Sequence, residues 1–171
     1  AVCALRMLDM AGVDFENTEV CAMITDGEEA GLRGCKSWAK NHYDEYVNSG
    51  VETVVLCVDT LTDRDYLRVY NKDMTGTVKN NQQFSQLVMD ASKDAGHDDI
   101  ELSSVFFGSS DAAAFSQAGI TATCLAAMDP RPADYYHNRR DTADRLVPET
   151  IKTGFDVIIS TILNFDEKGL N

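Results

Sequence analysis

Basic residues and proline are scarce in this sequence, and long apolar runs are absent. Fifteen Lys and Arg stand against 28 Asp and Glu, which gives a formal net charge of -13. Such a charge repels phosphate backbones and anionic lipid headgroups, so we expect neither nucleic acid nor a membrane surface as a partner. No run of about eighteen apolar residues occurs, so the sequence predicts no membrane-spanning helix.

Closely spaced cysteine pairs are also missing. The five cysteines are an odd number and none forms a Cys-x-x-Cys pair, which argues against a disulfide framework or a zinc ribbon. Three of them, Cys21, Cys57 and Cys124, lie within apolar runs. We therefore expect free thiols, which slightly favours a reducing compartment such as the cytoplasm over secretion.

The chain of 171 residues, 44% of them hydrophobic, is long enough for one domain spanning 1–171. Apolar periodicity predicts alternating helices and strands and hence an α/β fold. Nearly continuous apolar strands predict a three-layer structure, with a mixed, largely parallel sheet covered by helices on both faces. The predicted helices are 1–12, 34–48, 79–95, 111–118 and 148–166, and the predicted strands are 18–25, 51–58, 66–71, 102–107 and 120–127.

The first ten residues begin in the middle of an amphipathic helical pattern, without a capping residue or an initiator methionine. We therefore expect this chain to be the C-terminal portion of a longer catalytic domain.

Three predicted strands end in residues that suit hydrolytic chemistry. The strand 18–25 leads into Glu28 and Glu29, the strand 51–58 into Asp59, and the strand 120–127 into a loop that contains His137. Functional residues of α/β sheets collect at the carboxyl ends of strands. Carboxylate oxygens and imidazole nitrogens are also zinc ligands, and a neighbouring free carboxylate can act as a general base.

Each of these residues has a simpler interpretation. Acidic residues such as Glu28 and Glu29 are common in the first turn of a helix, where they favour the helix dipole. Asp59 could be an ordinary turn residue at a strand end, and Asp111 a helix N-terminal acid. His137 could be exposed in a loop held by an Arg140–Asp141 ion pair.

Other reactive side chains are weaker candidates. His42 and His97 lie in polar surroundings typical of the surface. Ser110 and Cys35 lack the Gly-x-Ser-x-Gly motif or a nearby histidine that covalent catalysis would favour.

Taken together, the motifs resemble the zinc exopeptidases of the bacterial leucyl aminopeptidase and aminopeptidase Y type, whose fold is shared with glutaminyl cyclase and the transferrin receptor ectodomain. The resemblance covers essentially the whole chain. It rests on four segments in order, which are Asp26-Gly27-Glu28-Glu29-Ala30-Gly31-Leu32-Arg33-Gly34, Val58-Asp59, Ser110-Asp111 with Phe115 and Ala118-Gly119-Ile120, and Tyr136-His137-Asn138-Arg139-Arg140-Asp141-Thr142.

This resemblance implies a role for each site residue. Glu28 would be the general base, Glu29 and His137 ligands of one zinc ion, and Asp59 a ligand of a second. Tyr136 would stabilise the oxyanion, and Asp111 would lie behind the metal ligands. The substrate would be a peptide.

The resemblance also implies a gap in the ligand set. Relatives carry a histidine motif and a metal-bridging aspartate upstream of the helix that corresponds to 1–12. Without them we expect residues 1–171 alone to bind zinc poorly and to be inactive. Three functions stay open for the parent protein: an aminopeptidase, a glutaminyl cyclase, or a non-catalytic binding or dimerisation module.

Overall fold

The computed structural model describes residues 1–129, 131 and 134–170. Part of the His137 loop, at 130, 132 and 133, lies outside the described residues. The described chain is an α/β structure with a five-stranded sheet. Its helices are α1 (Val2–Met10), α2 (Arg33–Tyr46), α3 (Gln82–Asp94), α4 (Asp111–Gln117) and α5 (Pro148–Lys168), and its strands are β1 (Val54–Asp59), β2 (Leu67–Asp73), β3 (Val78–Lys79), β4 (Glu101–Ser104) and β5 (Thr121–Ala127). Short 3-10 helices lie at Arg64–Tyr66 and Ala143–Arg145.

The sheet is mixed. The strand order is β1-β5-β2-β3, and β4 also pairs with β2. β1 runs parallel to β5 and β4 runs parallel to β2, whereas β2 is antiparallel to both β5 and β3. Parallel and antiparallel pairs are thus equally represented, and β2 reverses the strand direction in the middle of the sheet.

Helices cover both faces of the sheet, as the apolar strands predict. On one face, α2 and α4 pack on β5 around the buried residues Cys35, Phe115 and Cys124. On the other, α3 and α5 enclose Phe84 and Val157, together with the buried side of α1. The three-layer architecture of the described chain is therefore confirmed. None of the described helices is both long and apolar enough to cross a membrane.

One predicted element is wrong. The segment 18–25 forms no strand, and the side chain of Ile24 is 83% exposed. A strand needs a neighbour to bond its backbone groups, and no described strand pairs with this segment. The segment is irregular chain that leads into the acidic loop, with Ile24 exposed and Met23 partly buried against the core.

The cysteines are all free, two buried and one partly buried. Cys57 and Cys124 face each other across β1 and β5. Cys21, predicted to lie in a buried strand, is exposed because that strand does not form.

Candidate active site

Glu28 and Glu29 lie in a tight turn before α2. The amides of Gly31 and Leu32 both donate to the Glu28 carbonyl oxygen, at 2.9 and 2.8 Å. The turn needs glycine at its end, because a Cβ atom on Gly34 would lie 2.4 Å from the backbone oxygen of Asp26. The first turn of α2 contains no acidic residue. The helix-dipole interpretation of the two glutamates is therefore wrong.

Asp59 ends β1 beside the end of β5. The two strands are parallel, and Asp59 is in register with Ala126. Thr60 joins the two ends: its carbonyl accepts the amide of Ala127 at 3.0 Å, and its hydroxyl donates to Asp59 Oδ1 at 3.0 Å. Thr60 has φ of 46°, a strained conformation for a β-branched residue. Backbone strain of this kind, worth roughly 1–3 kcal/mol, concentrates at functional sites.

His137 reaches across to the acidic turn. Its Nε2 atom lies 2.9 Å from Glu29 Oε1, and the two side chains are 51% and 71% exposed. An ion pair this exposed contributes at most about 1 kcal/mol to stability. Tyr136 stacks on the imidazole, with ring centroids 3.8 Å apart. Arg140 lies 3.8 Å from Asp134 and not against Asp141, so the ion pair of the simpler interpretation is not the contact it makes.

The surroundings of Glu28 shift its proton affinity. Burial, followed by the negative charges of Glu29, Asp59 and Asp111, raises the pKa of Glu28 from 4.5 to about 7, while His137 lowers it. The structure thus brings Glu28 into the electrostatic range of four of the residues that the sequence singled out. A general base is most effective when its pKa lies near the working pH.

Tyr136 responds to the same charges. Burial raises its pKa, and the carboxylates of Glu29, Asp59 and Glu28 raise it further. The hydroxyl therefore stays protonated at neutral pH and can donate a hydrogen bond. Its ring is 48% exposed, so a bound molecule can reach it.

Asp111 is connected to the turn by a contact that the sequence did not reveal. Its Oδ2 atom accepts the Thr25 hydroxyl at 2.8 Å, across 86 residues of sequence. Its Oδ1 atom is buried and has no hydrogen-bond partner among the described residues. Cys35 lies nearby, where burial and then the Asp111 carboxylate raise the pKa of the thiol to about 12. No spacing rule would have found Thr25 or Cys35, because their partner is distant in the chain.

The remaining reactive residues lie in other surroundings. His42 pairs with Glu45 on α2, at 3.0 Å. His97 is only 20% exposed and pairs with Asp156 of α5, so it is partly buried rather than a surface residue. Cys35 holds its proton at neutral pH, and the Ser110 hydroxyl donates to the buried Asp73. Neither environment activates a nucleophile.

The donor set fits zinc in type but is incomplete in number. Glu29 and His137 supply a carboxylate oxygen and an imidazole nitrogen in direct contact, a combination that zinc accepts. Across 1–129, 131 and 134–170, however, no three His, Cys, Asp or Glu side chains converge on one point that could hold a metal ion. The described residues thus provide one pair of zinc-compatible donors and a second carboxylate, Asp59, close enough to raise the pKa of Glu28.

We expect Glu28→Gln to stabilise the metal-free protein at alkaline pH. The pKa of Glu28 is raised on folding, so ionising it costs stability as the pH rises from about 4.5 through about 7. The free energy of unfolding of the variant should match that of the wild type at pH 4. At pH 8 it should exceed the wild-type value by on the order of 1 kcal/mol, after allowance for solvent screening. Urea unfolding at both pH values in the presence of a chelator measures this. Glu149→Gln, at the exposed start of α5, is the matched control, and an equal gain there would contradict the assignment.

Sequence comparison identifies the family of this chain. The chain matches peptidase family M28 over residues 2–162. This protein therefore belongs to peptidase family M28. Comparison with curated protein sequences found no significant match.

Several solved structures share the fold. BSAP, a zinc aminopeptidase from Bacillus subtilis, is 20% identical with a TM-score of 0.66, over 81% of this chain and 33% of that one. The LapA aminopeptidase of Legionella pneumophila is 16% identical with a TM-score of 0.68, over 84% and 38%. A glutaminyl cyclase from an Acidobacteriales bacterium is 18% identical with a TM-score of 0.63, over 81% and 47%. The chain thus spans about a third to a half of the length of these proteins.

Proposed function

We propose that this chain carries the general base and part of the metal site of a zinc-dependent aminopeptidase. The observation that carries the proposal is the environment of Glu28. Its carboxylate has a pKa of about 7 and adjoins the Glu29–His137 pair, which has the donor atoms of a zinc site. A base beside a ligand pair is the arrangement that metal-assisted hydrolysis requires.

Glu29 and His137 would hold one zinc ion, and Asp59 would bind a second. When bound, zinc lowers the pKa of a water molecule and polarises the substrate carbonyl. We propose that further ligands come from residues outside 1–171, because the described residues supply no group of three and the chain spans only part of its relatives. Residues 1–171 alone should then bind zinc weakly and lack activity.

The side chains of this chain would handle the proton transfers. Glu28 accepts a proton from the attacking water and later donates it to the nitrogen of the leaving amine. Tyr136, protonated at neutral pH, donates a hydrogen bond to the oxygen that becomes negative in the transition state. Thr25 and Asp111 hold the turn in place through their hydrogen bond.

The charge of the site favours the amino end of a peptide. The carboxylates of Glu29, Asp59 and Asp111 all act electrostatically on Glu28, in a chain whose net charge is -13. Such a potential attracts the positive amino terminus and repels a C-terminal carboxylate. This supports an aminopeptidase over a carboxypeptidase.

A paired substrate assay tests the proposal. The zinc-loaded full-length protein should release the first residue of a peptide with a free amino terminus, whereas the N-acetylated form of the same peptide should be cut far more slowly. Equal cleavage of both peptides, or removal of C-terminal residues, would contradict the assignment.

Glutaminyl cyclase is the second candidate, because a cyclase shares the fold at a TM-score of 0.63. A peptide that begins with glutamine separates the two activities. A cyclase releases ammonia and leaves the peptide bonds intact, whereas an aminopeptidase releases free glutamine. Absence of both products in the zinc-loaded protein would favour the non-catalytic binding module.

A further inference from the structure

Asp73, the last residue of β2, is a buried carboxylate that the proposed reaction does not use. Its exposure is 0%, and it is the one fully buried Asp or Glu among the described residues. Three donors satisfy it: the Met74 amide at 2.7 Å, the Ser110 amide at 3.0 Å and the Ser110 hydroxyl at 2.5 Å. Because burial of an unpaired charge is costly, this arrangement persists only while Ser110 stays in place.

The partner of Asp73 is the residue that precedes α4. Ser110 is the N-cap of α4, and Asp111 is its first residue. Asp111 in turn accepts the hydroxyl of Thr25, at the start of the turn that contains Glu28. A continuous series of contacts therefore runs from Asp73 through Ser110 and Asp111 to Thr25.

We propose that Asp73 is a positioning residue for the acidic turn. By fixing Ser110, Asp73 sets where Asp111 lies, and Asp111 then holds the turn through Thr25. The proposal builds on the proposed hydrolytic function, since the group that is ultimately positioned is Glu28.

A second buried polar contact to α4, made by Asn80, provides a control for a purely structural role. Asn80, 5% exposed, accepts the hydroxyl of Ser116 at 2.7 Å and donates to the carbonyl of Tyr70 at 2.7 Å. Asn80 thus connects the other end of α4 to β2 with a similarly buried polar side chain. If Asp73 only stabilised the fold, its loss and that of Asn80 would have similar consequences at the turn.

Hydrogen exchange of the turn amides tests the positioning without requiring activity. The Arg33 and Gly34 amides, which donate within the turn to Gly27 and Asp26, are the reporters. We expect Asp73→Ala and Thr25→Val each to speed their exchange at least about tenfold, because each change breaks one contact in the series. Asn80→Ala should leave this exchange unchanged. The proposal would be overturned if these amides exchanged in Asp73→Ala at the wild-type rate. It would also be overturned if Asn80→Ala accelerated their exchange as much as Asp73→Ala does.

Turnover supplies the second measurement. In the zinc-loaded protein, well below its unfolding temperature, Asp73→Ala should lower kcat by roughly 10–100-fold with little change in KM or zinc content, an effect like that of outer-shell partners. Asp73→Asn should recover part of the rate, since its amide oxygen can still accept from Ser110, and it is the deciding variant if Asp73→Ala does not fold.

If the wild type does not cleave peptides but the exchange pattern holds, the proposed function fails and the positioning of the turn stands. An unchanged kcat in both Asp73 variants of an active enzyme would overturn the proposal.

Discussion

Glu28→Gln is expected to lower kcat by about 10²–10⁴-fold, the range that general acid–base catalysis contributes. Glutamine has nearly the same shape as glutamate but cannot accept a proton from the attacking water. Its amide is neutral, so the variant also removes the repulsion between the Glu28 carboxylate and those of Glu29, Asp59 and Asp111. Zinc content and substrate binding should change little, because Glu29 and His137 form their contact without Glu28. Steady-state kinetics combined with metal analysis measures both effects.

The pH profile gives this prediction a second test. The wild type should lose kcat/KM as the pH falls through the pKa of the base. This pKa is about 7 before any metal is bound, and a nearby cation lowers it because it favours the charged carboxylate. The remaining activity of Glu28→Gln should lack this acid limb. Glu149→Gln provides a control with the same chemical change away from the site. Full turnover in Glu28→Gln, or loss of zinc along with turnover, would show that Glu28 is not the base.

The sequence predicted the helices well, because their apolar periodicity depends on local spacing. The helix predicted at 148–166 is α5 at Pro148–Lys168, with proline in its first turn. The strand at 18–25 was predicted from an apolar run, yet a strand forms only where a neighbour supplies hydrogen bonds. Local composition cannot reveal whether such a neighbour exists.

The antiparallel direction of β2 could have been inferred from the length of the connection that precedes it. Only residues 60–66 separate β1 from β2, and they contain a 3-10 helix. A parallel strand in the same sheet needs a crossover connection of about a dozen residues or more. So short a connection requires β2 to run against β1, and hence against β5, which is parallel to β1.

The placement of the candidate residues was predictable where they follow from strand ends. Asp59 and the loop of His137 follow β1 and β5, and these adjacent parallel strands end at the same edge of the sheet. The reasoning for Glu28 relied on a strand that does not form. The turn is held instead by the Thr25–Asp111 hydrogen bond and by the close approach of Gly34 to Asp26. Contacts between distant residues leave no periodic signal, so Thr25 and Asp73 could be found only from the structure.

His137→Gln is expected to weaken zinc binding by more than the roughly 10–100-fold that loss of an outer-shell partner costs, because we propose His137 as a direct ligand. Glutamine keeps polar atoms at the end of the side chain but offers no imidazole nitrogen. Competition with a chromophoric chelator at constant pH measures the affinity in the full-length protein.

The chain contains a closely matched control for this change. His42 lies 3.0 Å from Glu45, much as His137 lies 2.9 Å from Glu29, and both histidines are about half exposed. If histidine–glutamate contact alone captured zinc, His42→Gln would weaken binding as much as His137→Gln does. We expect His42→Gln to leave the affinity unchanged, because His42 and Glu45 lie on one helix face outside the charge cluster around Glu28. The surrounding carboxylates Asp59 and Glu28 therefore distinguish the two pairs, and equal zinc affinity in both variants would mean that His137 is not a ligand.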